Sequence, residues 1–191
     1  RNQPLAQRVG LGSLTESEWR AVFWAFARLP GNLEEPLALR YHGYQFQVYN
    51  PDLGDGRGFL HAQLRDPVDG RLLDLGTKGS GQIPWSRGAD EHLTLRGGVR
   101  EVLAGEMLHA LGVPTSRALS LFETGESLER SDEPSPTRAS VLVRLSHGHI
   151  RFGTFERLAF HRDRVGMTRL MDYCVEHFFP SIADERERPM A

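Results

Sequence analysis

The apolar positions along the chain follow two rhythms, one of three and four residues and one of two. Over residues 15–29, Trp19, Val22, Phe23, Phe26 and Ala27 recur at helical spacing, and Thr15 with Glu18 forms a capping box, so this stretch is predicted to be an amphipathic helix. Val99, Val102, Leu103, Met107, Ala110 and Leu111 predict a second helix over 95–111, stopped by Gly112 and Pro114. Residues 154–160 and 163–178 read as two more, the latter ended by Pro180, and the charged tail 184–191 as frayed. Branched and aromatic runs predict strands over 37–49, broken at His42-Gly43, and over 59–65, 71–78, 118–122 and 140–145. Tight turns are expected at 52–58 and 66–70. Loops are expected from Gly79 to about Asp90 and over 123–138, where Pro134 and Pro136 lie. No repeat of 20 to 50 residues occurs. Hairpin strands, one central helix, two further strands and terminal helices give an α+β fold, not a doubly wound sheet.

Composition narrows the class. With 191 residues the chain is one domain or one domain plus a fragment, and 39% apolar with 25% charged residues excludes disordered, collagen-like and membrane classes. No apolar run approaches the roughly 18 to 20 residues that span a bilayer, and residues 1–10 lack a signal-peptide core, so a soluble, cytoplasmic protein is expected. A net charge of −2 provides no global field for nucleic acid or anionic lipid, and neither is expected as a partner. The single cysteine, Cys174, permits no internal disulfide or thiolate metal site and reads as a small apolar residue in the last helix. Of the 23 basic residues, 22 are arginine and one is lysine, Lys78. So strong a bias suggests that Lys78 stands where a compact ammonium is needed and a planar fork will not serve, the alternative being chance survival.

The surroundings of Lys78 carry the chemistry. Gly54, Gly56 and Gly58, spaced by single residues between two strands, let backbone N–H groups approach an anion, although such turns are also plain hairpins. The next strand ends in Lys78, and the following helix carries Glu101, with Ala104 and Gly105 beside it to admit a neighbouring strand. A glycine-rich hairpin, a strand lysine and a helix glutamate are the ordered parts of a protein-kinase small lobe, where the glutamate holds the lysine at the phosphates. The alternative for Glu101 is a solvated carboxylate.

Other residues read blandly. His161-Arg162-Asp163 matches the start of a kinase catalytic loop, but position 168 is threonine and no Asp-Phe-Gly follows, so Asp163 is expected to cap a helix. His147 and His149 have no evident third metal ligand. Trp19 and Trp24 point roughly 140° apart on a helix and serve as separate core or interface anchors.

Four stretches, 50–57, 78–87, 100–121 and 149–156, together resemble the selenoprotein O family, also called the YdiU family, over roughly residues 37–180. The resemblance implies a protein-kinase-like fold that transfers AMP from ATP to protein hydroxyl side chains of Ser, Thr or Tyr, with ATP flipped relative to ordinary kinases. It implies a nucleotide loop at Gly54, Gly56 and Arg57, a phosphate lysine at Lys78 with Glu101 as partner, an acidic residue at Asp90, and two terminal-phosphate arginines, Arg144 and Arg151. On chemistry alone the arginines offer bidentate forks to phosphate. The alternatives are a snorkelling edge-strand arginine for Arg144 and a surface loop charge for Arg151.

The chain departs from the family at Asp90-Glu91-His92, where Asp-Gly-Arg is usual, which places a carboxylate near phosphate. The implied catalytic aspartate and magnesium ligands lie in the large lobe beyond residue 180, and the chain opens on Arg1. It is therefore expected to be an N-terminal piece of a bacterial protein adenylyltransferase, with Mg²⁺ held elsewhere. Its parts would be a helical extension (1–36), a nucleotide-binding small lobe (37–146) and the start of a helical large lobe (147–191). The other readings are ordinary γ-phosphoryl transfer and a non-catalytic nucleotide-binding or protein-interaction lobe.

Overall fold

A computed structural model describes residues 1–86, 92–131 and 133–179. In chain order the elements are α1 (Gln3–Arg8), α2 (Glu16–Phe23), β1 (Arg40–Gln45), β2 (Val48–Gly54), β3 (Leu60–Arg65), β4 (Leu72–Lys78), β5 (Leu93–Thr94), α3 (Leu95–Ala110), β6 (Arg117–Leu128), β7 (Thr137–Ser146), α4 (Phe152–Phe160) and α5 (Arg164–Phe178). The fold is α+β with antiparallel sheets, as the alternation of patterns predicts. The chain divides into two compact units, residues 1–39 with 54–149, and residues 40–53 with 150–191.

The first unit is built on a five-stranded sheet. β7 is its central strand: β6 lies along one edge, while the other edge pairs first with β4, Asp74 to Lys78, and then with the two residues of β5. β3 closes the sheet outside β4. Because side chains alternate, the β4–β7 ladder sorts its residues onto two faces. Leu75, Val143 and Leu145, with Ala62 and Leu119, join Ala6, Val9, Trp19, Val22 and Phe23 of the N-terminal helices in one core. On the opposite face Leu142 packs with Leu93 and Ala118, covered by Val102 of α3 and by Leu121. Asp74, Gly76, Lys78 and Arg144 share that second face, since Gly76 pairs with Arg144 and Lys78 with Leu142.

The first helix has no legible period in its six residues, but its polar ends explain its place. The Asn2 side chain caps α1 and also donates to the Ala118 carbonyl, while Arg8 at the other end grips the buried carboxylate of Asp66 through Nε and Nη2 at 3.0 and 2.8 Å. Asp66 opens the 66–70 turn as predicted: its carbonyl accepts from Gly70, whose φ is +73°, and its carboxylate accepts from the Val68 amide. The capping box at Thr15 and Glu18 is formed. The α2 helix stops at Phe23, earlier than the apolar spacing predicts, because Phe26 takes a left-handed φ of +56°. The two tryptophans diverge as expected: Trp19 is buried, and Trp24 is exposed beneath Arg20.

In the second unit β1 and β2 form a hairpin against α4. The strand break expected at His42-Gly43 lies instead at Phe46-Gln47, whose φ values of +52° and +66° make a left-handed two-residue turn, while His42 is buried within β1 beside Tyr49 and Phe160. β2 runs on through Gly54, so the expected 52–58 turn shrinks to 55–58. Gly153 of α4 lies so close to the His42 carbonyl that a Cβ there would overlap it. Asp163 caps α5 through Gly166 N at 2.8 Å, as expected. Cys174 is half-buried, and burial raises its thiol pKa. β6 and β7 are both longer than predicted, which shortens the loop between them to 129–136, because their outer halves pair with each other at Ser127–Arg138 and Leu128–Thr137. No helix among the described residues is long and apolar enough to cross a membrane.

His61 of β3 is buried against the edge of Phe26. Burial, opposed in part by the Val22 carbonyl, holds its pKa below the ordinary histidine value of about 6.5. The unfolded chain therefore takes up this proton first, so the contribution of neutral His61 is whole above pH 6.5 and is lost as pH falls below it. Urea unfolding followed by tryptophan fluorescence is expected to show stability falling between pH 7 and pH 5, with His61 contributing at most ~1.4 kcal/mol per pH unit. His61→Leu should flatten the slope, and an unchanged slope would refute the assignment.

Candidate functional site

Two glycines decide what the second sheet face can hold. At Gly98, in the first turns of α3, a Cβ would come within 2.6 Å of Leu121 Cδ1 and 2.9 Å of Ser140 Oγ, so glycine allows the helix to lie directly on β6 and β7. A second close approach lies at Gly105, as expected, where a Cβ would stand 3.3 Å from the Ser116 carbonyl just before β6, whereas Ala104 is exposed and admits no strand. Thr94 caps the helix through Gly97 N at 3.0 Å, and Arg117 of β6 grips Glu106 with two bonds of 2.9 and 2.8 Å. Thus anchored at both ends, α3 presents Glu101 to the sheet.

Glu101 lies between two cations. Its Oε1 pairs with Lys78 Nζ at the end of β4, and its Oε2 faces Arg144 Nη1 across 3.8 Å. All three side chains are about one-quarter to one-third exposed, so the pairing is partly shielded and still open on one side. Arg144 is not an edge-strand residue, because β7 is bordered on both sides. Its Nε is buried and has no acceptor among the described residues. One carboxylate against an ammonium and a guanidinium leaves a net positive charge.

The second glycine is Gly76, directly opposite Arg144. A Cβ there would lie 2.5 Å from His149 Nε2, so the missing side chain makes room for an imidazole ring on the same face. His149 Nδ1 lies 3.1 Å from Asp74 Oδ2, and Gln63 donates to the other carboxylate oxygen at 2.8 Å. Burial pushes the Asp74 carboxyl up, but the hydrogen bonds from His149 and Gln63 with the His149 charge outweigh it and hold the pKa below the usual value. His149 is thus engaged by a carboxylate, and among the described residues no cluster of three His, Cys, Asp or Glu could hold a metal ion. The sequence reading did not single out Asp74, because its partner lies 75 residues away.

The glycine-rich turn lies in the same unit. Gly56 has a φ of +72°, and its carbonyl accepts from Ser86 Oγ; at Gly54 a Cβ would meet the Leu39 carbonyl and Ile83 Cδ1 at 2.8 Å. Arg57 donates to the His92 carbonyl at 3.2 Å and, with Thr94, Gly97, Arg100, Glu101 and Arg130, lines a pocket of about 400 Å³. Arg100 and Arg130 escaped the sequence reading, which had no signal for the β6–β7 loop turning toward α3. Asp90 lies outside the described residues. Arg151 belongs to the other unit, where it precedes α4 with its guanidinium 5.0 Å above the Tyr41 ring.

The family model described as protein adenylyltransferase SelO matches residues 1–191. Among curated relatives, the protein nucleotidyltransferase YdiU of Synechocystis sp. is 64% identical over 147 residues, 77% of this chain and 31% of its own length. The proteins of the same name from Gloeobacter violaceus and Trichormus variabilis are 60% and 52% identical, covering 86% and 98% of the chain and 34% and 38% of their own lengths. The chain thus spans about a third of the length of the curated relatives it matches.

If Glu101 holds Lys78, removing its charge frees the chain's only ε-amine. Glu101→Gln is expected to raise the rate of Lys78 acylation, read by peptide mass spectrometry, roughly fivefold, the equivalent of ~1 kcal/mol for a half-shielded ion pair. An unchanged rate would show that the pair does not restrain the lysine.

Proposed function

Because the chain belongs to the protein adenylyltransferase SelO family, we propose that it is the nucleotide-holding part of an enzyme that moves AMP from ATP to a hydroxyl side chain of a protein. The observation that carries this reading is the Lys78–Glu101–Arg144 cluster, with net positive charge and side chains about one-quarter to one-third exposed. A phosphate oxygen is the acceptor that the open side of such an ammonium and guanidinium would meet with charge-assisted bonds. In this reading Glu101 orients Lys78, and Gly54 and Gly56 let the turn backbone approach the nucleotide beside Arg57. Asp90 adds a carboxylate at the nucleotide, and Arg151 a second guanidinium at the terminal phosphates. Residues 37–146 then correspond to a kinase-like small lobe.

The chemistry follows from which end of ATP is held. A protein hydroxyl oxygen attacks the α-phosphorus, the bond from that phosphorus to the α,β-bridging oxygen breaks, and pyrophosphate leaves. Lys78, Arg144 and Arg151 on the β- and γ-phosphates would stabilise the charge that develops on this leaving group. Magnesium, when bound, would neutralise further phosphate charge, but the described residues contain no set that fits it, so no step within this chain is assigned to it.

Calorimetry with ATP tests the cradle. Lys78→Ala and Arg144→Ala are each expected to weaken binding at least tenfold, ~1.4 kcal/mol. In a polypeptide of the relatives' full length, label from α-labelled ATP should reach protein, whereas label from γ-labelled ATP should not. Undiminished binding in both variants would overturn the cradle, and transfer of γ-label would make the protein a phosphoryl transferase.

A further inference from the structure

Gly76 lies between Asp74 and Lys78 in the row of β4 residues on the second sheet face, and it has no side chain to place there. The space is filled from elsewhere in the chain. A Cβ at Gly76 would lie 2.5 Å from Nε2 and 2.8 Å from Cε1 of His149, so the imidazole stands where a strand residue's side chain would. The end of β7 brings it there. Ser146 Oγ donates to the Gly148 carbonyl at 2.8 Å, and the chain folds back so that residue 149 covers the strand position paired with residue 144. The ring is held by the contact of Nδ1 with Asp74 Oδ2 at 3.1 Å, and Gln63 of β3 fixes the other carboxylate oxygen at 2.8 Å. The side chains of His149 and Asp74 are each only 10% exposed.

We infer that His149 is a positioning residue for Arg144: it supplies the cross-strand neighbour that Gly76 does not, and so fixes the guanidinium that the proposed function places on the leaving phosphates. Gly76 and Arg144 are directly paired, and side chains at paired positions rise ~4.5–5.5 Å apart, within packing distance. On its other flank Arg144 pairs with Ala118, whose side chain is a single methyl group. The imidazole is therefore the bulk beside the Arg144 stem, whose Nε is buried although the side chain as a whole is about one-quarter exposed. Glu101 does not fix this guanidinium by itself, because 3.8 Å between Oε2 and Nη1 is an attraction and not a hydrogen bond. In either protonation state of the ring the Asp74–His149 pair carries no net positive charge, so it packs beside a guanidinium without repelling it. A stem confined in advance loses less freedom when phosphate arrives, and binding is tighter for it. The inference rests on the nucleotide reading of Arg144.

Calorimetry with ATP and competition by AMP test it in a polypeptide of the relatives' full length. His149→Asn keeps an N–H for Asp74 and lacks the part of the ring that covers Gly76. It is expected to weaken ATP binding about fivefold and to leave AMP, which has no β- or γ-phosphate, unchanged. Gly76→Ala alone, which pushes a methyl into the ring, is expected to weaken ATP binding as well, whereas Gly76→Ala together with His149→Asn refills the space from the strand and should return the affinity to within about twofold of the unaltered protein. Unchanged ATP affinity in His149→Asn would overturn the inference, and so would equal losses for ATP and AMP, which would reduce the ring to a support of the fold. If His149→Asn does not fold, Gly76→Ala, with His149 and Asp74 both in place, makes the same comparison. Arg144→Ala separates the two levels: weakened ATP binding there with none in His149→Asn removes this inference and leaves the phosphate cradle standing, and no effect in either variant removes both.

Discussion

The contact on which the rest of the first unit depends is the close seating of α3 on β6 and β7 at Gly98. A carboxylate can bridge a strand lysine and a strand arginine only if its helix lies within a side chain's length of both, and a Cβ at that glycine would press on Leu121 and Ser140 and force them to shift. The rest of the helix is fixed to suit. Thr94 caps its start, and the two bonds from Arg117 to Glu106 hold its far half, so Glu101 is placed by the backbone more than by its own rotamer. The sheet contributes from below: with β7 central, the backbone of Arg144 is held by ladders on both edges.

The opposite sheet face explains why this arrangement can be rigid. Trp19 and Phe23, with ring centroids 4.4 Å apart, pack on Leu75 and Val143, and the clasp of Arg8 on Asp66 secures α1 to the 66–70 turn. The residues that alternate with Lys78 and Arg144 along their strands are therefore the residues at the centre of the core. Charge on one face and dense apolar packing on the other come from one period-two pattern.

Much of this was legible in the chain itself. The capping box at Thr15 and Glu18, the left-handed glycines of the turns and the single lysine each act locally, and local chemistry marks the sequence directly. The pairing of Lys78 with Glu101 was readable because strand and helix are neighbours in a known order of parts. What could not be read depends on distant partners. The Asp74–His149 pair, the seat of α3 at Gly98 and the outward turn of Leu103 and Met107 are fixed by which face of the helix meets the sheet, and periodicity does not distinguish the two faces of a helix that is apolar on both. The hairpin turn at Phe46-Gln47 was missed for another reason: neither residue is one that usually accepts a left-handed backbone.

The clasped first helix also sets an order of events in time. Six residues are too few to hold a helix in water, so α1 has no structure of its own until its partners exist. Those partners lie far downstream: Asp66 is 58 residues beyond Arg8, and Ala118 is 116 residues beyond Asn2. At ordinary rates of synthesis Asn2 leaves the ribosome roughly ten seconds before β6 follows it. Residues 1–11 are therefore made well before the strands that place them, and during that interval Ala6 and Val9, later buried, face water or whatever else binds nascent chains.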